Sequence, residues 1–223
     1  VSLRVVNISQ TILQVDQPFT LTELAVVGEL VVHGYVCLGA VNWHTHIDAD
    51  ELFLVHEGVM ALESQWGDVL LHSGELAVVP KGVAHRSGSQ WRTLVVLVHA
   101  RGFPERKNGH RRLFGFPGQG QMKKVELQAV PPMAGSFRLE PVADVDEYVV
   151  QLTAGSGLSP TYVNFLSDTL WLVISGQVRF EAGDELIELS QGELTVVPRD
   201  LPHRWIGLGS ATLFWLGLTQ ATA

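Results

Sequence analysis

Gly74-Glu75-Leu76-Ala77-Val78-Val79-Pro80 returns 118 residues later as Gly192-Glu193-Leu194-Thr195-Val196-Val197-Pro198, identical at six of seven positions. The same offset carries His85-Arg86 onto His203-Arg204, Gly58 onto Gly176, Asp50 onto Asp168 and Leu54 onto Leu172, with no gap. A constant offset over roughly forty residues is the mark of a duplicated domain. The quoted segment itself is a short apolar run held between a glycine and a proline, which reads as a strand between two turns.

Working outward, the rest of each repeat has the same texture. Strands are expected at 20–26, 30–38, 51–56, 59–64, 68–72, 76–79 and 92–99, and again at 147–153, 161–165, 170–175, 177–182, 185–189, 194–197 and 211–218. They are rich in Val and Leu and broken by turns such as Trp66-Gly67-Asp68 and Ala182-Gly183-Asp184. No helical period stands out. Many short strands at even spacing predict an all-β chain of sandwich or barrel type. The division expected is a first domain over 1–102, a basic, Gly- and Pro-rich linker over 103–135, and a second domain over 136–223.

Composition narrows the function classes. The chain is 46% hydrophobic and 17% charged, so it has the material for a substantial core and is not a disordered polymer. A net charge of −8 argues against nucleic acid as a partner. The one basic cluster, from Arg101 through Arg106, Lys107, His110, Arg111 and Arg112, reads as a solvated connector. Cys37 is the single cysteine, so no intramolecular disulfide can form and a cytoplasmic setting is expected. No apolar run approaches the ~18 residues that span a bilayer, and no membrane partner is expected.

The chemistry is concentrated in the first repeat. His44-Thr45-His46 is followed by Glu51 and Gly58, then by Gly74, Pro80, Gly82 and His85. Residues two apart in a strand share a face, so His44 and His46 project together, and a turn over 47–50 brings Glu51 beside them. The Pro80-Lys81-Gly82 turn returns His85 to the same place. Three neutral imidazoles and one carboxylate suit a divalent first-row metal, with coordination positions left for substrate. The metal ligands expected are His44, His46, Glu51 and His85, with Glu51 also the candidate catalytic base. Trp43, Phe53, Val55, Leu76 and Val78 are the expected pocket walls. His33, His56, His72, His99 and His110 read as core or surface residues.

These two spacings, His44-x-His46-x4-Glu51-x6-Gly58 and Gly74-x5-Pro80-x-Gly82-x2-His85, resemble the two motifs of the cupin superfamily. With the repeat, the chain resembles a bicupin. The resemblance implies two tandem double-stranded β-helix (jelly-roll) barrels and one divalent transition metal held by His44, His46, Glu51 and His85. The second repeat departs from the motif: the four ligand positions become Tyr162, Asn164, Thr169 and His203, and Asp200 replaces the motif glycine. That degenerate site is expected to be metal-free.

Cupin folds carry many reactions, so fold does not select one. An oxygenase using Fe(II), or else Mn, Ni, Zn or Cu, on a small oxygen-chelating molecule is the first expectation. A non-redox metal-dependent isomerase, lyase or cyclase is the second, and a non-enzymatic small-ligand binder the third. The assembly expected is a monomer or homodimer.

Overall fold

The computed structural model describes residues 2–15, 17–102, 106–108, 120–128 and 137–219. Within the expected linker, 103–105, 109–119 and 129–135 lie outside the described residues, and with them His110, Arg111 and Arg112 of the basic cluster. The chain is nearly all β, in two antiparallel sheets. It separates into two compact units, Ser9–Glu126 and a second made of Val1–Ile8 with Leu127–Ala223.

In the first unit the long strand His85–Ala100 is the organiser. Its opening residues pair with Val59–Ser64, while its later residues pair with both Leu30–Ala40 and Glu51–Glu57. Irregularities at Cys37/Gly39 and Val55/Glu57 let the partners leave this strand as it passes from one face to the other. Glu75–Val79 pairs with Glu51–Glu57, and Lys124–Glu126 closes that side. Tyr35, Phe53, Val55, Leu62, Ala77 and Leu97 are among the side chains packed inside.

The second unit repeats the plan around His203–Gly217, which pairs with Tyr148–Leu158, Thr169–Ser175 and Gln177–Ala182. Its interior is more aromatic, with Trp171, Phe180 and Trp205 fully buried. The edge strands repeat too. Val6–Asn7 pairs with Glu193–Val197 in this unit, and Lys124–Glu126, beginning 118 residues after Val6, pairs with Glu75–Val79 in the other. Residues 120–126, inside the expected linker, thus complete the first unit, where Met122 enters the core and Trp66 lies over Gly120.

Three local expectations are corrected. Residues 161–165 make no strand, only a bridge between Tyr162 and His203. The reason is Asn164, whose side-chain oxygen accepts the backbone N–H of Leu166 and of Ser167 and curls the chain instead. The strand expected at 92–99 begins at His85, before the segment where apolar alternation sets in. A helix, Ile8–Ile12, is too short for its period to show in sequence. Among the described residues no helix is long and apolar enough to cross a membrane.

Candidate metal centre

His44–His46 is a three-residue strand set between Arg106–Asn108 and the start of His85–Ala100, and His44 is the cross-strand partner of His85. The turn after it is fastened twice. Gly82, at φ +81°, donates its N–H to the His46 carbonyl at 2.6 Å, and Asp50 accepts the Lys81 N–H at 2.8 Å. The left-handed backbone at position 82 is where glycine costs least. These two bonds bring the Pro80–Gly82 turn against the His46 end of its strand, so Glu51 enters beside the imidazoles.

All four side chains are buried. Glu51 Oε2 lies 2.8 Å from His85 Nε2 and 4.0 Å from His44 Nε2, and Glu51 Oε1 lies 3.4 Å from His46 Nε2. One ligand atom each from His44, Glu51 and His85 falls within 4.8 Å of the others; His46 reaches the group through its contact with Glu51. His44 Nδ1 donates to the Asn42 carbonyl at 2.8 Å and His85 Nδ1 to the Val83 carbonyl at 3.1 Å. A carbonyl only accepts, so a proton sits on each Nδ1 and Nε2 is the nitrogen turned toward Glu51, a lone-pair donor when the ring is neutral.

Burial works to raise the Glu51 pKa, but with no cation between them and the rings protonated, the short His85 contact and the charges of the three imidazoles outweigh it and hold the carboxyl at about 2. Glu51 Oε2 and His85 Nε2, though 2.8 Å apart, lack hydrogen-bond geometry and have no other hydrogen-bond partner. Buried polar atoms in that condition are costly. Lone pairs and a carboxylate aimed at one point are the donor set that fits a divalent cation.

A cavity of about 220 Å³ opens beside this cluster, lined by His44, His46 and Glu51. Its further walls are Phe19, Leu21, Tyr35, Val41, Phe53, Ser87, Leu97 and His99. Of the five expected walls, Phe53 is there. Val55 sits in the core beside it. Leu76 and Val78 lie on the opposite face, because Glu51 pairs with Val79 and Phe53 with Ala77, and cross-strand partners share a face. Trp43 stands outside the cavity wall with the Arg86 guanidinium 5.5 Å from its ring centre, and Arg86 is held by both carboxylate oxygens of Glu63.

Sequence reasoning missed Phe19, Leu21, Tyr35, Val41, Ser87, Leu97 and His99. Ser87 was findable, standing two residues after His85 on the same strand face. Tyr35 is fully buried, and desolvation pushes its phenol well above its ordinary pKa, so it stays neutral. His99 offers no free nitrogen to the cavity: Nδ1 donates to the Ala100 carbonyl and Nε2 accepts from His33 Nδ1 at 3.0 Å.

The second unit keeps the scaffold and discards the donors. Arg199 N–H donates to Asp168 and Asp200 N–H to the Asn164 carbonyl, matching the Lys81 and Gly82 bonds. The Tyr162 hydroxyl donates to the Phe137 carbonyl, the Asn164 amide to Leu218, and Thr169 is buried with its hydroxyl unpartnered. His203 Nδ1 donates to the Leu201 carbonyl, and the Trp171 indole donates to His203 Nε2. The lone pair that a metal needs is already engaged. Among the described residues, no group of three such ligands assembles here.

No protein-family profile matches the sequence. A stretch of 64 residues is 36% identical to an uncharacterized Bacillus subtilis (strain 168) protein, YdbB, covering 28% of this chain and 57% of that protein. The chain thus matches little more than half the length of that relative. Among solved structures, a cupin 2 conserved barrel domain protein from Leptotrichia buccalis superposes with a TM-score of 0.74 at 8% identity, covering 98% of both chains. A salicylate 1,2-dioxygenase from Pseudaminobacter salicylatoxidans superposes with a TM-score of 0.78 at 12% identity, covering 96% of this chain and 83% of that one. A structure of the dioxygenase with gentisate gives a TM-score of 0.76, also at 12% identity, covering 96% of this chain and 80% of that one. At such identities the likeness is one of fold, and it agrees with the paired sheets and the motif spacing: the chain has the cupin barrel fold.

Proposed function

We propose that this chain is a bicupin enzyme whose N-terminal barrel binds one divalent transition metal, Fe(II) by preference, through His44, His46, Glu51 and His85, and oxygenates a small organic chelator. The observation that carries the reading is the convergence of three imidazole nitrogens on one buried carboxylate at the wall of a cavity. Two of the three rings are already fixed in the ligating tautomer by backbone carbonyls. The redox reading draws on the fold shared with a salicylate 1,2-dioxygenase.

When bound, the metal supplies coordination positions for substrate and dioxygen. The chain's own residues do the rest. Phe53, Leu97, Val41 and Leu21 give an apolar body to the cavity, and exclusion of water there strengthens the electrostatics of the charged end. Tyr35, kept neutral by burial, and Ser87 offer hydroxyls to a substrate oxygen. Glu51, the one carboxylate on the cavity wall among the described residues, accepts a proton from a substrate hydroxyl only on leaving the metal, since a carboxyl held at about 2 is a weak base while its partners stay in place. A cavity of about 150 Å³ holds benzene, so 220 Å³ suits one substituted ring. The second barrel is read as metal-free, and the molecule as a cytoplasmic monomer or homodimer.

The test is direct. Protein reconstituted with Fe(II), Mn, Ni, Cu or Zn is assayed for metal by elemental analysis and for oxygen uptake with catechols, enols and β-diketones. One metal per chain and Fe(II)-dependent oxygen uptake that vanishes in His46→Ala are expected. Turnover without oxygen on the Zn form would instead mean a non-redox isomerase, lyase or cyclase.

A further inference from the structure

Gln17-Pro18-Phe19-Thr20 is a tight turn closed by the Thr20 N–H on the Gln17 carbonyl at 3.3 Å, with Phe19 at φ 60°. Proline cannot take positive φ, so the only left-handed central residue is the third, which is the type II pattern. That position ordinarily carries glycine. A bulky aromatic there is a backbone outlier, and such strain persists where the surroundings over-determine it, often at ligand clamps.

The second repeat holds the matching residue in the same strained state. Phe137, at offset 118, has φ 45°. Its ring turns inward. It lies edge-on to Trp205 with centroids 5.0 Å apart, and it presses on Gly155, where an added Cβ would come 2.4 Å from the ring. Its carbonyl takes the Tyr162 hydroxyl. In the first repeat those three neighbours are replaced by Ser87, Cys37 and His44. Cys37 is fully buried where Gly155 left room. Phe19 instead stands at the wall of the metal-side cavity, its ring 5.9 Å from that of Tyr35 and tilted by 32°. Both rings are partly buried against the core of their own unit, but Phe137 packs edge-on to Trp205 whereas Phe19 also lines the metal-side cavity.

We propose that Phe19 is a substrate-positioning residue, held in a strained turn so that its ring forms the aromatic wall against which the planar body of the metal-chelating ligand stacks. This rests on the metal-centre reading above and adds to it a ligand class: conjugated planar chelators over saturated ones of equal size.

The experiment compares benzohydroxamic acid with cyclohexanecarbohydroxamic acid by calorimetric titration of the Co(II)-loaded full chain. Both carry the same two-oxygen metal-binding head, and only the ring differs. The wild type should prefer the aromatic ligand by roughly two- to tenfold, the range of one aromatic contact. Phe19→Leu, which keeps apolar bulk, and Phe19→Gly, which also relieves the backbone, should bring the ratio close to one with metal content unchanged. An unchanged ratio in both variants, or no aromatic preference in the wild type, overturns the proposal while leaving the metal centre intact. A purely structural role predicts a lowered melting temperature with the ratio preserved, which also overturns it. A wild type that takes up no Co(II) defeats the metal-centre reading, and this inference with it.

Discussion

The Trp171 indole N–H donates to His203 Nε2 at 3.1 Å in the core of the second barrel, with both side chains buried. His85, at the matching position of the first barrel, instead turns Nε2 to within 2.8 Å of Glu51. One aromatic substitution at the place of Phe53 thus separates a histidine with its lone pair presented for ligation from one whose lone pair is used internally. Trp171→Phe should leave His203 Nε2 unsatisfied and lower stability by about 1–3 kcal/mol, with more lost through the smaller ring. Denaturant unfolding measures it, and elemental analysis should show no metal gained.

His203 also predicts a pH dependence. Desolvation lowers its pKa from 6.5, against a smaller raising effect from the Leu201 carbonyl. The folded state therefore favours the neutral ring, while the unfolded chain protonates first on acidification. The contribution to stability is complete above pH 6.5 and is lost as pH falls through the lowered folded value. Urea unfolding between pH 8 and 5 should give a shallower decline for His203→Gln than for the wild type; identical slopes would contradict this.

Glu51 is the charge on which the first site turns. With its carboxyl held at about 2, it is ionised throughout the neutral range. Glu51→Gln keeps the shape and removes the charge, and metal affinity should fall by on the order of 100-fold or more, since altering even an outer partner of a ligand costs 10–100-fold. His85→Ala should behave alike. Equilibrium dialysis against Co(II) reads both, and retention of wild-type affinity by Glu51→Gln would remove the carboxylate from the ligand set.

The turn at Gly82 and Asp200 offers a paired backbone test. Nothing lies within 4 Å of a Cβ built at Gly82, so Gly82→Ala pays only for the left-handed conformation at φ +81°, about 1–2 kcal/mol. Asp200 already occupies that region at φ 66°, and its contact with Arg199 is exposed and weak. Asp200→Gly should therefore stabilise, by up to about 1 kcal/mol. Thermal unfolding of the two variants should move in opposite directions.

What was legible in sequence had a local or periodic signature. The offset of 118, the glycine and proline turns and the H-x-H pair are all of that kind. The inward side of residues 75–79 was not legible, because Leu76, Ala77, Val78 and Val79 are all apolar and only register with Glu51 and Phe53 assigns the faces. Phe19 stands far in sequence from the motifs, and no spacing rule leads to it. The role of residues 120–126 was hidden because pairing with Glu75–Val79 is non-local.

The sequence by itself determined that the chain is a duplicated all-β protein and that one repeat holds a metal-type donor set, because strand alternation and motif spacing are properties of neighbouring residues. Tertiary structure decided which atoms meet: the His85 lone pair at Glu51, the Trp171 proton on His203, and the ring of Phe19 at the cavity. Those depend on register and packing between strands distant in the chain, where a shift of one residue turns every side chain to the other face.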